Sequence, residues 1–248
     1  MISVITVVKD DAPGLQSTFD SLIDQSYPDW ELIIVASHSS DNTLEVANSM
    51  SKKDERVVFQ VQEALGIYEA MNLGLTKVKR SHIWFMNAGD TFASNDVLEH
   101  ALTTIQKSSA SLLVGGYKLG QQTGSRSFKY RSQKISRWRF AFNLRMSHQS
   151  MLFKSRVFEE IGNFDLKYRL ASDFDFILKL MKIHDAMTTE KIYAVFRPGG
   201  AADQNISKVH REKHLSRKAN FQSRLIIPVS ILWTTAAWTK INIKKKFK

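Results

Sequence analysis

The chain has 248 residues, of which 43% are apolar, and it contains no cysteine. This length allows one large domain or two small ones, the apolar content is typical of a globular protein, and the lack of cysteine excludes disulfides and thiolate metal sites. The net charge of +11 is unevenly distributed: residues 1–99 carry seven Lys/Arg and 15 Asp/Glu, residues 100–157 carry 11 and none, and residues 205–248 carry 11 and one. Basic blocks of this kind indicate phosphate-bearing partners, such as a nucleotide, a nucleic acid or an anionic lipid.

Buried strands alternate with amphipathic helices along the first hundred residues. The apolar run ISVITVV predicts a first strand and not a signal peptide, since no positively charged segment precedes it. ELIIV, RVVFQV and IWFM predict three further strands, and the segments between them space their apolar residues as helices do. This alternation predicts an α/β fold with a mostly parallel central sheet. Ligands of such sheets bind beyond the carboxyl ends of the strands, so VVKDD, ASHSSD and NAGD are expected on one rim.

The second half of the chain has a less regular pattern. SNDVLEHALTTIQ predicts a helix capped by Ser94, and SLLVGGY and SHQSMLF predict strands. Residues 118–146 are basic and aromatic, which indicates a loop-rich arm over the rim. Two helices are expected after this arm, a short one closed by Gly162 and an amphipathic one that begins at Ser172.

Residues 205–248 are predicted to form a basic, amphipathic C-terminal helical tail that follows a single domain of residues 1–204. Its apolar segment, 224–239, contains Pro228 and is shorter than the ~20 residues that a spanning helix needs. Two tryptophans and flanking lysines favour a segment that lies in a membrane interface and binds an anionic membrane surface. The alternative is a C-terminal helix packed on the domain, with solvated lysines.

Five segments, taken in order, resemble family 2 glycosyltransferases, the inverting group with the GT-A nucleotide-sugar fold. SVITVVKDDAPGLQSTFDSLIDQSYPDWELIIV is similar to the opening of that family. GIYEAMNLGL, WFMNAGDTF, SHQSMLF and YRLASDFDFILKL resemble a subgroup that makes bacterial surface polysaccharides, including colanic acid-type enzymes. The resemblance covers roughly residues 1–200.

The resemblance implies a Rossmann-like domain that binds a nucleotide-sugar donor, with a UDP-sugar favoured. The expected reaction is inverting transfer of the sugar to a hydroxyl of a surface polysaccharide or a polyprenyl-linked glycan. It also implies an enzyme in the cytoplasm, peripheral on the inner face of the plasma membrane.

NAGD stands where the resembling family has its D-x-D-type metal site, which implies that Asp90 binds a divalent metal, Mg²⁺ or Mn²⁺. A divalent ion that bridges two phosphates prefers hard oxygen ligands, which a carboxylate supplies. Asn87 and Gly89 replace carboxylates of the family pattern, so Asp90 alone offers a full charge. Asn87, Ala88 and Gly89 are expected to contact the donor. By itself the sequence NAGD is also typical of a turn.

Other donor-binding residues implied by the resemblance lie on the same rim or on the helix EAMNLG: Thr6, Val8, Ser39, Asp41 and Asn72. The family usually has an acid followed by G-S-x-D-G-T after its second strand, and that acid recognises the nucleotide base. Here Ala36, His38 and Asn42 replace the acid and the two glycines. The identity of the nucleotide base is therefore left open by the sequence. Asp41 has an alternative interpretation as a cap of the next helix.

Asp173 matches the acid of the family's E-D or S-D motif, which implies that it is the catalytic base. A carboxylate within hydrogen-bond reach of the acceptor hydroxyl takes its proton as the new bond forms, and a helix start favours the ionised form. Asp175 is the second candidate, and a purely structural role at the helix start is the alternative. His148 and Gln149 match an H-Q pair near the acceptor or the diphosphate. His148 is expected to be catalytic, with a buried structural histidine as the alternative.

Several cations of the basic arm are candidates for contact with the diphosphate or a lipid-linked acceptor: Arg126, Lys129, Arg131, Arg137 and Arg139. For each of them alone, a solvated surface charge is the favoured interpretation. A nucleic-acid partner is not expected, because the charge lies in an arm and a tail and not in a recognition element. The alternative function is a catalytically degenerate protein that binds a sugar nucleotide or scaffolds a glycan assembly complex.

Overall fold

The computed structural model describes residues 1–63, 66–120, 125–143 and 145–221. The strands in these ranges are β1 (Ile2–Val8), β2 (Trp30–Ser37), β3 (Val57–Gln62), β4 (His82–Phe85), β5 (Thr91–Phe92), β6 (Leu112–Leu119), β7 (Ser127–Phe128), β8 (Gln133–Ile135), β9 (Met151–Lys154) and β10 (Ala186–Phe196). The helices are α1 (Ala12–Ile23), α2 (Thr43–Lys53), α3 (Ile67–Leu75), α4 (Val97–Gln106), α5 (Arg137–Asn143), α6 (Arg156–Ile161), α7 (Ser172–Leu180), α8 (Ala201–Gln204) and α9 (Ile206–Asn220).

The strands form one sheet in the order β3-β2-β1-β4-β9-β6-β10-β5, with β7 paired to β6 and β8 paired to β10. Strands β3, β2, β1 and β4 are parallel neighbours, and β6 is parallel to β10. Strand β9 is antiparallel to both β4 and β6 and joins the two parallel parts. The predicted α/β fold with a mostly parallel central sheet is therefore confirmed.

The central strands are apolar without alternation because both faces of the sheet are covered. Ile5, Ile33 and Phe85 pack into one buried cluster. Their chain neighbours Val4 and Trp84 pack into a second cluster on the other face. A strand between two layers of helices has no solvent-facing side, which explains the continuous apolar run IWF in β4.

The three polar segments predicted on one rim do meet at the carboxyl ends of β1, β2 and β4. The Asp10 backbone N–H donates to Ser39 Oγ at 3.0 Å, which joins the loop after β1 to the loop after β2. The Gly89 N–H donates to the Gly14 carbonyl at 3.0 Å, which joins the turn after β4 to α1.

Three local expectations differ from the structure. Helix α4 begins after Asp96, and Ser94 Oγ donates to the Asp96 carboxylate at 2.7 Å instead of capping the helix. The start of SHQSMLF is a 3₁₀ turn over His148–Ser150, and only Met151–Lys154 form a strand. The basic arm contributes β7, β8 and α5, because its backbone finds partners on β6 and β10. The closing role of Gly162 and the helix start at Ser172 are confirmed.

Helix α9 packs along α7, although it belongs to the predicted tail. The Glu212 carboxylate accepts hydrogen bonds from the backbone N–H groups of residues 169–171 at 2.8–3.2 Å. Ser216 and Asn220 donate to Asp175 Oδ1 at 2.7 and 2.8 Å. Residues 206–221 therefore pack on the domain, as the alternative interpretation of the tail predicts. The apolar segment 224–239 lies outside the described residues. In the described part of the chain no helix has the length and apolarity needed to cross a membrane.

Candidate active site

A cleft of about 550 Å³ lies at the carboxyl end of β4. It is bounded by the start of α3, the turn after β4, the 3₁₀ turn, the start of α7, the segment after β10, and α9. The polar residues in its lining include Tyr68, Asn87, Asp90, Arg126, Arg145, His148, Gln149, Asp173, Arg197 and Lys213. The sequence-predicted residues Asn87, Asp90, His148 and Asp173 are thus brought together, and Ala88 also lines the cleft.

Asp90 is a buried carboxylate, 3% exposed, at the floor of this cleft. Its Oδ1 accepts the backbone N–H of Arg197 at 2.8 Å, and its Oδ2 accepts Gln149 Nε2 at 2.8 Å. Burial raises the pKa of Asp90 to about 6, although these two hydrogen bonds act in the opposite direction. A cation next to this carboxylate would favour the ionised form that burial disfavours.

The Asn87 side chain has a buried oxygen without a partner. Its Nδ2 lies 3.3 Å from His148 Nε2, whereas its Oδ1 has no hydrogen-bond partner among the described residues. A buried acceptor left unsatisfied costs about 1–3 kcal/mol, so such an atom indicates a missing ligand.

Asn87 and Asp90 together fit a divalent cation that shares its coordination with phosphate. Amide and carboxylate oxygens are the ligand types that Mg²⁺ prefers, and Mg²⁺ usually retains waters or phosphate oxygens as well. No group of three or more His, Cys, Asp or Glu side chains that could hold a metal occurs in the ranges that the structure describes. The protein ligands present therefore suit a metal that arrives with a nucleotide better than a permanently bound one.

Asp173 lies in the first turn of α7, with 24% of its side chain exposed. Tyr68 Oη donates to Asp173 Oδ1 at 2.8 Å, and His148 Nδ1 lies 3.2 Å from Oδ2. Burial raises the pKa of this carboxyl, but the hydrogen bond and charge of His148, the charge of Lys213 and the Tyr68 hydroxyl outweigh burial and bring the pKa to about 2. Asp173 is therefore ionised at neutral pH.

His148 connects Asp173 to the turn that carries Asp90. If Nδ1–H donates to Asp173, then Nε2 is the acceptor of the Asn87 amide hydrogen. This arrangement holds the Asn87 nitrogen toward His148 and leaves Oδ1 as the free amide atom. The next residue, Gln149, donates to Asp90, so one 3₁₀ turn contacts both carboxylates.

Arg197 was missed by the sequence analysis and is placed by β10, which was also missed. Besides its backbone bond to Asp90, its guanidinium donates to the Asp11 carboxylate and, at 3.4 Å, to the Ala88 carbonyl. The guanidinium lies against Gly89, where an added Cβ would come 2.2 Å from Arg197 Cζ. Gly89 also has a positive φ of +89°, which disfavours any other residue.

We expect Gly89→Ala to lower the free energy of unfolding by about 1–2 kcal/mol, since the backbone strain at a positive φ adds to the displacement of the half-exposed Arg197 guanidinium from Asp11. The matched control is Gly162→Ala, where φ is +93° and an added Cβ meets no described atom within 4 Å. That variant has only the backbone strain and should lose about 1 kcal/mol. Denaturant titration of both variants measures the difference, and equal losses would show that the Arg197 contact adds nothing.

The remaining predicted donor-binding residues do not line this cleft. Thr6 and Val8 are buried in β1. Ser39 and Asp41 join two loops, and the Asp41 carboxylate accepts the backbone N–H groups of Ala12 and Thr43 at 3.1 and 3.0 Å. These contacts support the alternative interpretation of Asp41 as a residue that caps the start of α2.

Asn72 is also fully engaged. Its side chain forms two hydrogen bonds with the backbone of Phe164, at 2.9 and 3.0 Å. In the basic arm, Arg137 donates to the Leu178 carbonyl at 2.8 Å, so this cation is used in packing. Arg126 lines the cleft, and Lys129, Arg131 and Arg139 line a second cavity.

Two further cleft residues, Tyr68 and Lys213, were not identified from the sequence. Tyr68 lies within GIYEAMNLGL, where helical periodicity marks it as a core residue and hides its hydroxyl contact. Lys213 lies in a helix whose charged composition resembles a solvated tail. The signal that could have revealed Arg197 is YAVFRPGG, a strand-like run that stops at an arginine and a glycine turn.

Comparison with known proteins assigns the family. The family model Glycosyl transferase family 2 matches residues 3–164, so this chain belongs to glycosyl transferase family 2. A relative, the PGL/p-HBAD biosynthesis glycosyltransferase of Mycobacterium bovis (strain BCG / Pasteur 1173P2), is 26% identical over 237 residues, which cover 94% of this chain and 91% of the relative. The protein is accordingly a glycosyltransferase of glycan biosynthesis.

Solved structures share the fold at low identity. S. aureus TarS 1–349 in complex with UDP-GlcNAc aligns with a TM-score of 0.69 and 16% identity, over 87% of this chain and 66% of the TarS chain. In the UDP complex of TarS 1–349 this chain spans 64% of that chain. The mannosyltransferase PcManGT from Pyrobaculum calidifontis, in complex with GDP-Man and Mn²⁺, aligns with a TM-score of 0.67 and 15% identity, over 96% of this chain and 75% of the PcManGT chain. The expected GT-A fold is confirmed by these likenesses.

Proposed function

We propose that this protein is a metal-dependent inverting glycosyltransferase that moves a sugar from a nucleotide diphosphate donor to a hydroxyl of a surface polysaccharide or a lipid-linked glycan. The observation that carries the proposal is the ionised, partly exposed Asp173 in the same cleft as Asp90. Asp173 accepts the proton of the acceptor hydroxyl while that oxygen attacks the anomeric carbon from the side opposite the nucleotide. The low pKa of Asp173 means that the proton moves as the attacking oxygen gains positive charge.

The second carboxylate has a different role in this proposal. Asp90 and the Asn87 Oδ1 would hold a divalent cation, which would supply positive charge to offset that of the departing diphosphate. Gln149 and the Arg197 backbone hold the Asp90 carboxylate in place. His148 orients the Asn87 amide and hydrogen-bonds to Asp173, so its proposed catalytic contribution is to position both groups.

The donor is proposed to be a nucleotide sugar, with a UDP-sugar favoured. Structural neighbours are complexes with UDP-GlcNAc or with GDP-Man and Mn²⁺, which supports a nucleotide diphosphate and a metal. The base stays open, because Ala36, at the position of the base-reading acid, is buried in β2. Screening nucleotide sugars for a rise in melting temperature, with and without Mn²⁺, tests the proposal. Stabilisation by one donor only with Mn²⁺ would support it, and no stabilisation by any donor would contradict it.

Metal-dependent nucleotide binding should weaken as the pH falls through about 6. The folded-state pKa of Asp90 is raised to about 6 from 3.8, so the carboxyl is protonated below that pH and loses its charge for the metal. The metal-free protein should show the opposite pH dependence in its folding stability. Its free energy of unfolding falls as the pH rises from 3.8 to about 6, because the buried Asp90 carboxyl must ionise. Melting temperatures with Mn²⁺ and nucleotide should therefore rise at pH 7.5 and hardly change at pH 5. An equal rise at both values would contradict the assignment to Asp90.

The protein is proposed to act in the cytoplasm, at the inner face of the plasma membrane, through its C-terminal segment. Truncation after Phe221 should move it from the membrane fraction to the soluble fraction. This site preserves α9 and the Phe221 ring, over which the Arg137 guanidinium lies at 4.2 Å. The melting temperature should consequently stay unchanged. Unchanged fractionation of the truncated protein would contradict membrane attachment by residues 222–248.

A further inference from the structure

A second cavity of about 420 Å³ lies beside the cleft, under the basic arm. Phe128 and Arg145 line both cavities, so the two are contiguous. Besides Arg145, the cavity is lined by Lys129, Arg131 and Arg139, and none of the described residues in its lining is acidic. The mechanism proposed above does not use any of these four cations.

These four side chains lack the partners that other cations of the chain have. Lys134, Lys179 and Lys191 each pair with a carboxylate at 2.8 Å or closer. In contrast, the four cavity cations are exposed and form no ion pair within the described residues. The residues outside those ranges contain no Asp or Glu, so no other acidic side chain of the chain can neutralise them. Four unpaired positive charges around one concave surface create a strong potential for anions.

The backbone around the cavity is held by hydrogen bonds, although the cationic side chains form no ion pair in the described part of the chain. Thr188 Oγ1 donates to the Arg131 carbonyl at 2.6 Å, which fixes this turn to β10. Tyr130 Oη donates to the Arg145 carbonyl and joins the two sides of the cavity. Strand β8 pairs with β10 next to these contacts. The backbone of the cavity is therefore already ordered, and a bound anion would need to order only the cationic side chains.

The second cavity adjoins the cleft at Phe128 and Arg145. The lining continues from the shared Arg145 through residues 146 and 147 to His148, whose imidazole contacts Asp173. An acceptor with its hydroxyl at Asp173 can thus extend along this segment into the second cavity. The predicted metal site at Asp90 belongs to the donor diphosphate, which leaves the second cavity for a different anionic group.

We propose that the cavity formed by Lys129, Arg131, Arg139 and Arg145 binds a phosphate or diphosphate group of the acceptor. A diphosphate matches four cations better than a single carboxylate does, and arginine binds phosphate oxygens through two parallel N–H groups. This inference rests on the proposed function, since it assigns the acceptor of the same reaction. A lipid-linked acceptor and an anionic membrane surface both supply phosphate, and the experiment below separates them.

The test is calorimetric titration of the full-length protein with inorganic pyrophosphate in EDTA, without donor or metal. The double variant Arg131→Gln/Arg139→Gln should bind pyrophosphate at least about tenfold more weakly than the wild type. The matched control is Lys52→Gln/Lys53→Gln, which removes two exposed cations at the end of α2 and should bind as the wild type does. Lys129→Gln, with a single exposed change, gives an independent variant if the double variant unfolds.

The possible results divide clearly. Wild-type affinity in the double variant, an equal loss in both double variants, or no binding by the wild type would overturn the proposal. A second arm measures cosedimentation with phosphatidylglycerol vesicles. If the Arg131→Gln/Arg139→Gln variant loses vesicle binding together with pyrophosphate binding, the cavity serves the membrane surface and the proposal is wrong. Weaker pyrophosphate binding with unchanged vesicle binding supports an acceptor group. Failure of the proposed function would show separately, as absent sugar transfer by the wild-type protein.

Discussion

Replacing Asp173 by Asn is expected to reduce sugar transfer by 10²–10⁴-fold, the usual contribution of a general base. The amide retains an acceptor oxygen for the Tyr68 hydroxyl, which now donates at 2.8 Å, but it has no negative charge to take a proton. Nucleotide binding with Mn²⁺ should remain, because the proposed metal ligands lie on the turn after β4 and not on α7. The measurement is acceptor-dependent release of the nucleoside diphosphate, together with calorimetric nucleotide affinity of the same preparation.

The matched control for this charge loss is Asp24→Asn, since Asp24 is exposed at the end of α1. Its transfer rate should equal that of the wild type. Near-wild-type turnover of Asp173→Asn would remove Asp173 as the base. Loss of nucleotide affinity in parallel with turnover would instead indicate that Asp173 shapes the donor site.

Replacing Asp90 by Asn is the second large expected effect, and it should weaken nucleotide binding in Mn²⁺ by about 10–100-fold. Interactions of a charged group contribute about 1.5–3 kcal/mol, and Asp90 is the one full charge in the NAGD turn. The amide can still accept the Arg197 backbone N–H, so the turn should keep its conformation. Calorimetry with UDP and Mn²⁺ gives the affinity of each variant.

The metal-free arm is the decisive control for Asp90. In EDTA, wild type and Asp90→Asn should bind UDP with similar affinity, because the missing interaction passes through the metal. Equal affinities in Mn²⁺ would refute the metal assignment. An equal weakening with and without metal would mean that Asp90 contacts the nucleotide or supports the fold.

The sheet was predictable from local patterns, whereas the candidate roles of the two carboxylates came from the family resemblance. Continuous apolar runs marked the buried strands, and Asp90 and Asp173 stand at a strand end and a helix start. The hydrogen bond between His148 and Asp173 spans 25 positions, and no sequence spacing reports such a contact. The sequence analysis predicted a role for each of these two residues from the family resemblance of its own segment, and it did not predict their contact.

Strand β10 and helix α9 show where the pattern fails. The polar stretch TTEK lies within β10, where the pairing with β6 shifts in register between Thr188 and Ile192, so this sequence does not resemble a regular strand and Arg197 was missed with it. Helix α9 is charged overall, yet Glu212, Ser216 and Asn220 make hydrogen bonds with the domain. A helix attached through polar contacts has no apolar stripe, so its sequence resembles a solvated tail.

The anomeric configuration of the first sugar released when water replaces the acceptor tests the central claim most directly. Proton NMR of the wild-type protein with its stabilising donor and Mn²⁺ should show the anomer opposite to that of the donor, before mutarotation. Asp173→Asn should release no sugar under the same conditions. Release of the retained anomer, or release by Asp173→Asn at the wild-type rate, would contradict inverting transfer with Asp173 as the base.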